Sequence, residues 1–180
     1  SIDSALGKLY EAGAQRIVCL PLYPQYSGTT TGSVFDVVTT ALNRRRWVPE
    51  FRFINHYHDA RGYIAALAQS IREYWDAHGK GEKLLFSFHG VPRQTLDKGD
   101  PYHCQCLKTA RLVAESLELA DGEWQVSFQS RLGRAEWLKP YTADTVTAFG
   151  EGGLERLDVV CPGFASDCLE TLGEIAMQNA

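Results

Sequence analysis

Several things are scarce in this 180-residue chain, and each scarcity removes a class of function. No stretch approaches the ~20 consecutive apolar residues of a membrane-spanning helix, so a spanning protein is not expected. Basic residues form no long run. The cluster Arg44-Arg45-Arg46 ends a helical pattern, where cations favour the helix dipole. With a net charge of −4, that argues against a nucleic-acid partner. The 5 cysteines are odd in number and lack framework spacing, which points to a reducing, cytoplasmic setting. Cys19 and Cys161 sit inside apolar strand-like runs, as small hydrophobes do. Cys104-x-Cys106 lacks a second pair, so we expect no zinc or cluster there. The only methionine is Met177. The chain opens at Ser1 within a helical pattern and closes at Ala180 soon after another has begun. We therefore expect a piece of a longer protein, and see no secretory leader.

What is present suffices for one core: 44% of residues are hydrophobic and 22% charged. Residues 1–13 read as an amphipathic helix, with Ile2, Leu6, Leu9 and Tyr10 at helical spacing and Gly13 as the stop. Residues 16–24 read as a buried strand, 23–32 as a polar Gly/Thr-rich loop, and 33–43 as a helix. That loop has no phosphate-binding lysine, so it is a poor P-loop. Further strands are predicted over 51–57, 83–89, 123–130 and 156–161. Helices are predicted over 59–78, 102–117, 141–149 and 166–179, with an irregular loop at 132–140. Strand and helix alternate throughout without repeat or linker. We expect a single α/β domain over 1–180, with one mostly parallel sheet covered on both faces.

In such a fold, ligands bind beyond the carboxyl ends of the strands. The stretch KLLFSFHGVPRQTLDKGDPY stops its apolar run at His89-Gly90, so His89 occupies such an end. An imidazole there either caps the strand or serves a site. The last strand ends at Pro162-Gly163-Phe164 and leads into Ser166-Asp167-Cys168-Leu169-Glu170. Asp167-x-x-Glu170 has the form of a capping box. In an α-helix, Asp167, Glu170 and Glu174 would also form a carboxylate ladder on one face. His89 and Glu170 thus follow strands on the same sheet edge. An imidazole facing a carboxylate suits a borderline divalent cation or a proton relay. Tyr23, Tyr26, Gln129-Ser130 and Trp137 follow other strands at that edge and suit a flat aromatic ligand.

The segments LPLYPQYSGTTTGS, FSFHGVP, KGDPYHCQC, VSFQSRLGRAEWLKPYT and CPGFASDCLETLGEI recur in order over nearly the whole chain. Together they resemble ferrochelatase of the bacterial type. The resemblance implies a Rossmann-like, chelatase-type three-layer domain, the iron-site-bearing second half of a two-domain enzyme. It implies insertion of Fe(II) into protoporphyrin IX to form protohaem. On the family pattern, His89 is the iron-site histidine and Glu170 its partner glutamate, the two carrying catalysis and binding metal. Glu174 is the outer acid of the metal path. Trp137 is the porphyrin-wall tryptophan, and Tyr26, Gln129 and Ser130 match substrate-binding positions.

The resemblance implies no cofactor beyond the substrate Fe(II). Some members carry a [2Fe–2S] cluster with a ligand in the Y-P-Q-Y-S-C stretch, but here that position is Gly28, so no such cluster is expected. Gln178 stands where some relatives have a further carboxylate, which weakens a two-metal path. The family's amino-terminal domain and final carboxyl-terminal segment are expected to be missing, leaving an apolar face through which copies could self-associate. Two other readings stand beside the enzyme. One is a haem- or metal-binding module without turnover. The other is a related chelatase for another tetrapyrrole or for cobalt.

Overall fold

The computed structural model describes residues 2–178, apart from the side chains of residues 174 and 176–178. The chain is α/β with parallel strands, as expected. The strands are β1 (Arg16–Cys19), β2 (Glu50–Phe53), β3 (Lys83–His89), β4 (Trp124–Gln129) and β5 (Leu157–Val160). The helices are α1 (Ile2–Glu11), α2 (Ser33–Asn43), α3 (Arg61–His78), α4 (Arg93–Asp97), α5 (Tyr102–Ser116) and α6 (Thr142–Glu151). Two π-helical segments, Gly28–Gly32 and Glu170–Gln178, complete the described elements.

The sheet differs from the expectation of one continuous layer. Among the described residues, β1 pairs only with β2, while β4-β3-β5 form a separate three-stranded sheet. β1 is also shorter than predicted and stops before Pro21, which has no N–H to give to a ladder. The small sheet buries Ile17 against Leu6 of α1 and Val38, Ala41 and Leu42 of α2. On its other side Val18 is 64% exposed, and Leu20 and Leu22 are also open. A two-stranded sheet is marginal by itself, and this one is covered on one face only.

The larger sheet owes its layers to alternation in β3. Successive strand side chains point to opposite faces. Leu84, Phe86 and Phe88 stand on one face with Val126 and Phe128 of β4. They pack against Ile64, Ala68 and Ile71 of α3 and Cys106, Ala110 and Val113 of α5. Each buried Leu, Ile, Val or Phe of this set contributes about 1.5–3 kcal/mol by leaving water. The opposite face carries Ser87, and Ser127 across from it in register. Both hydroxyls bond Thr142 Oγ1 at the start of α6, at 2.8 and 2.9 Å. Helices therefore cover both faces, one oily and one hydrogen-bonded.

Asp158 of β5 ties that strand to α3, accepting from Trp75 Nε1 at 2.6 Å and Gly81 N at 2.7 Å. A further helix, α4, was not evident from periodicity because it is only 5 residues long. Pro92 precedes it with its φ already near the helical value.

Gly90 marks the tightest packing at the end of β3. A Cβ there would lie 2.8 Å from Gln129 O and 3.0 Å from Trp137 Cε3. Gly90→Ala is expected to cost about 1–3 kcal/mol through overpacking. Urea unfolding followed by far-UV circular dichroism checks this. An unchanged midpoint would show that the strand end yields without strain.

Candidate functional site

The loops that follow β1, β3 and β5 enclose one cavity of about 430 Å³. His89 and Glu170 both line it, although they lie 81 positions apart in the sequence. Trp137 and Phe164 flank the imidazole, with ring centroids 6.5 and 6.3 Å from it. Tyr23, Gln25, Ser27, Thr29 and Thr30 close the cavity from the β1–α2 connector.

His89 is held from two directions. Its Nδ1 lies 2.7 Å from Gly90 O, and its own carbonyl accepts from Tyr102 OH at 2.9 Å. A carbonyl can only accept, so Nδ1 carries a proton, which in the neutral imidazole leaves the lone pair on Nε2. That tautomer suits a base or a metal ligand. Burial pushes the Tyr102 phenol far above its ordinary range, so it stays a donor.

Glu170 opens the second π-helix. A hydrogen bond from the Cys168 side chain, then one from its own backbone, and more weakly the charge of His89 hold its carboxyl below the usual range. It therefore presents a carboxylate. The predicted α-helix from residue 166 is replaced by π-helical turns from residue 170. Their i→i+5 bonding changes which residues share a face, so the α-helical ladder of acids does not form as drawn. The expected capping box is also different: Thr171 Oγ1 bonds Asp167 Oδ1 at 3.2 Å and accepts from Cys168 N at 2.9 Å. The Glu174 side chain lies outside the described residues.

Behind the cavity runs a buried polar chain. Gln129 is 5% exposed and does not line the cavity. Its Oε1 accepts from Ser87 Oγ at 2.7 Å, and its Nε2 donates to Glu170 O at 3.3 Å. It supports the glutamate's backbone from the sheet. Ser130, next in sequence, takes a positive φ of 63° and also lies off the cavity lining. Tyr26 faces elsewhere. Its phenol sits by Gly32 and lines a separate depression with Phe35 and Asn55. Tyr23 reaches the main cavity instead. Phe164 and Tyr102 also line it; both follow strand ends or their loops, the signal that selected His89.

Trp137 is pinned by short pairing of its loop with the segment after β3. Leu138 N donates to Val91 O at 3.0 Å and Arg93 N to Glu136 O at 2.8 Å. Its indole Nε1 is buried without a partner. A donor in that state is costly unless something in the cavity accepts from it. The β1–α2 connector is anchored by one carboxylate. Asp100 accepts from Ser27 Oγ (2.9 Å), Gly28 N (2.8 Å) and Tyr102 N (3.0 Å). Another depression, between α3 and β5, contains Asp158, whose oxygen is already paired with Trp75 and Gly81.

A family model described as "Ferrochelatase" matches residues 1–180. The chain is 64% identical over 179 residues to "Ferrochelatase" of Thioalkalivibrio sulfidiphilus, covering 99% of this chain and 48% of that protein. It is 60% identical over 179 residues to "Ferrochelatase" of Nitrosococcus oceani, covering 99% and 49%. A Polaromonas protein of the same name is 58% identical over 178 residues, covering 99% and 48%. The chain thus spans about half the length of the curated relatives it matches.

Gln129→Leu removes the donor to Glu170 O and one of the two hydrogen-bond partners of the Ser87 hydroxyl. The variant should lose about 1–3 kcal/mol of stability, with hydrogen exchange rising around residue 170. Protection that stays at the wild-type level there would detach Gln129 from the positioning of Glu170.

Proposed function

The chain belongs to the ferrochelatase family, and from that premise we propose that the protein inserts Fe(II) into protoporphyrin IX to form protohaem. One observation carries the reading. His89 and Glu170, remote in sequence, open onto one cavity beside a tryptophan and a phenylalanine. A cavity of this size, with few polar groups converging on one point, suits an organic ligand. The indole and phenyl rings suit the faces of a flat macrocycle.

The reaction needs two pyrrole N–H bonds broken as one dication enters, which leaves the ring's charge unchanged. With Nδ1–H spent on Gly90 O, His89 accepts a pyrrole proton at Nε2. The resulting imidazolium faces a group that is already a carboxylate, Glu170. That carboxylate also draws the incoming Fe(II) and takes part in carrying the second proton away. Tyr102 holds the His89 backbone during the transfer. Trp137 and Phe164 bracket the ring, and an acceptor on the porphyrin would satisfy the buried Trp137 Nε1.

Other parts of the reading rest on the resemblance together with local observations. Glu174 is proposed as the next acid on the cation or proton path. Tyr26, Gln129 and Ser130 act around the site rather than in the cavity, where Tyr23 and Gln25 lie. The chain holds no iron–sulfur cluster through the β1–α2 connector, since Gly28 offers no thiolate. No disulfide joins the five cysteines, all of them among the described residues, which supports a reducing cytoplasmic compartment. No helix among the described residues is long and apolar enough to cross a membrane. The exposed Val18, Leu20 and Leu22 support contact with further polypeptide.

In the full-length protein, His89→Ala should slow Fe(II)-dependent loss of porphyrin fluorescence by at least about 100-fold, the scale of a lost general base. Porphyrin binding should persist. Insertion at the wild-type rate would remove His89 from the chemistry. Haem binding by Soret absorbance without any metallation would turn the reading toward a carrier. A preference for cobalt or another tetrapyrrole in substrate panels would redirect it to a related chelatase.

A further inference from the structure

Away from the main cavity, the connector from β2 to α3 gathers His56, His58 and Asp59, and we propose that this trio forms a second site for a borderline divalent cation such as Zn(II) or Co(II). One ligand atom from each residue lies within 4.8 Å of the other two. The two imidazole rings are 4.9 Å apart. None of the three lines the cavity of His89 and Glu170, so the inference does not depend on the function proposed for that cavity.

A separate observation points to a ligand. His58 is 5% exposed, yet its Nδ1 has no hydrogen-bond partner. Asp59 Oδ1 stands at 3.8 Å from it, beyond hydrogen-bond reach. Buried polar atoms are nearly always satisfied, and a metal ion is one group that does so.

The carboxylate is also prepared. Asp59 Oδ2 accepts from Lys108 Nζ at 2.6 Å, which leaves Oδ1 turned toward His58. Lys108 thus holds the ligand from outside, as outer partners do in metal centres. Sharing one carboxylate with an ammonium also makes the site weaker than a structural zinc centre. Two imidazoles and one carboxylate suit zinc, cobalt or iron(II); calcium and magnesium take oxygen ligands. Bonds of about 2.0–2.1 Å require ligand atoms no more than about 4 Å apart, so one ligand must close in by about 1 Å. His56 is exposed and can make that move. Solvent on its side leaves a position for water.

The site connects to the main cavity through hydrogen bonds. Thr109 Oγ1 donates to His58 O at 2.8 Å and accepts from Gln25 Nε2 at 3.0 Å. Gln25 is part of the cavity wall. A cation bound here would stiffen the connector beneath that wall.

The test uses the full-length protein in a His89→Ala background, which disables the main site. Co(II) is titrated by calorimetry and visible absorption. The proposal expects one Co(II) to remain bound with nitrogen and oxygen ligation. Adding His56→Ala, an exposed position, should lower its affinity at least about tenfold, since even losing an outer partner costs that much. Zn(II) should raise the melting temperature of the His89→Ala protein and not that of the double variant. Absence of Co(II) binding in the His89→Ala protein, or equal affinity after His56→Ala, overturns the site.

Discussion

Side chains along β3 alternate between two environments that share nothing. Leu84, Phe86 and Phe88 enter an apolar layer under α3 and α5. Ser87 turns the other way, into a hydroxyl and amide chain running from Ser127 through Thr142 to Gln129. The oily face supplies the hydrophobic stabilisation. The polar face supplies direction, because each buried hydroxyl must find one particular partner. That chain ends on the carbonyl of Glu170. His89, the last residue of the same strand, therefore emerges beside the glutamate that the polar face holds.

The cavity wall depends on a second set of long-range anchors. Asp100 gathers the β1–α2 connector onto the start of α5 through three hydrogen bonds. Gln105 adds another, accepting from Tyr26 N at 2.7 Å. Tyr63 donates to the carbonyl of Pro162 and so steadies the loop after β5. Burial keeps its phenol protonated. Loops that carry function are thus fixed by groups from the scaffold rather than by their own packing. The pairing of Leu138 with Val91 does the same for Trp137.

Two histidines meet different surroundings. His89 has one nitrogen occupied by a carbonyl and the other available in the cavity. His58 is buried under a different connector with its Nδ1 unpaired. The chemistry available to each imidazole is decided by its neighbours, since both begin as the same side chain. The Gln25–Thr109 and Thr109–His58 hydrogen bonds join the two regions.

Much of this was readable in one dimension. Alternation in FSFH, stops at Gly and Pro, and helical spacing in α3 and α5 are local, so residues alone announce them. They foretold the α/β class and put His89 at a strand end; the ordered motifs pointed to the family. Other features depend on partners far along the chain. The split into two sheets reflects which strand finds which neighbour, and periodicity carries no record of that. Gln129 looked like a cleft residue but is drawn inward by Ser87 and Glu170. Tyr23 and Tyr26 are near-equivalent in sequence, and only the anchoring of their connector turns the first toward the cavity. The π-helical turn at Glu170 likewise escaped, because apolar spacing does not distinguish it from an α-helix over so short a span. Local chemistry names the groups; folding chooses which of them meet, because hydrogen bonds and packing between distant segments set every distance in the site.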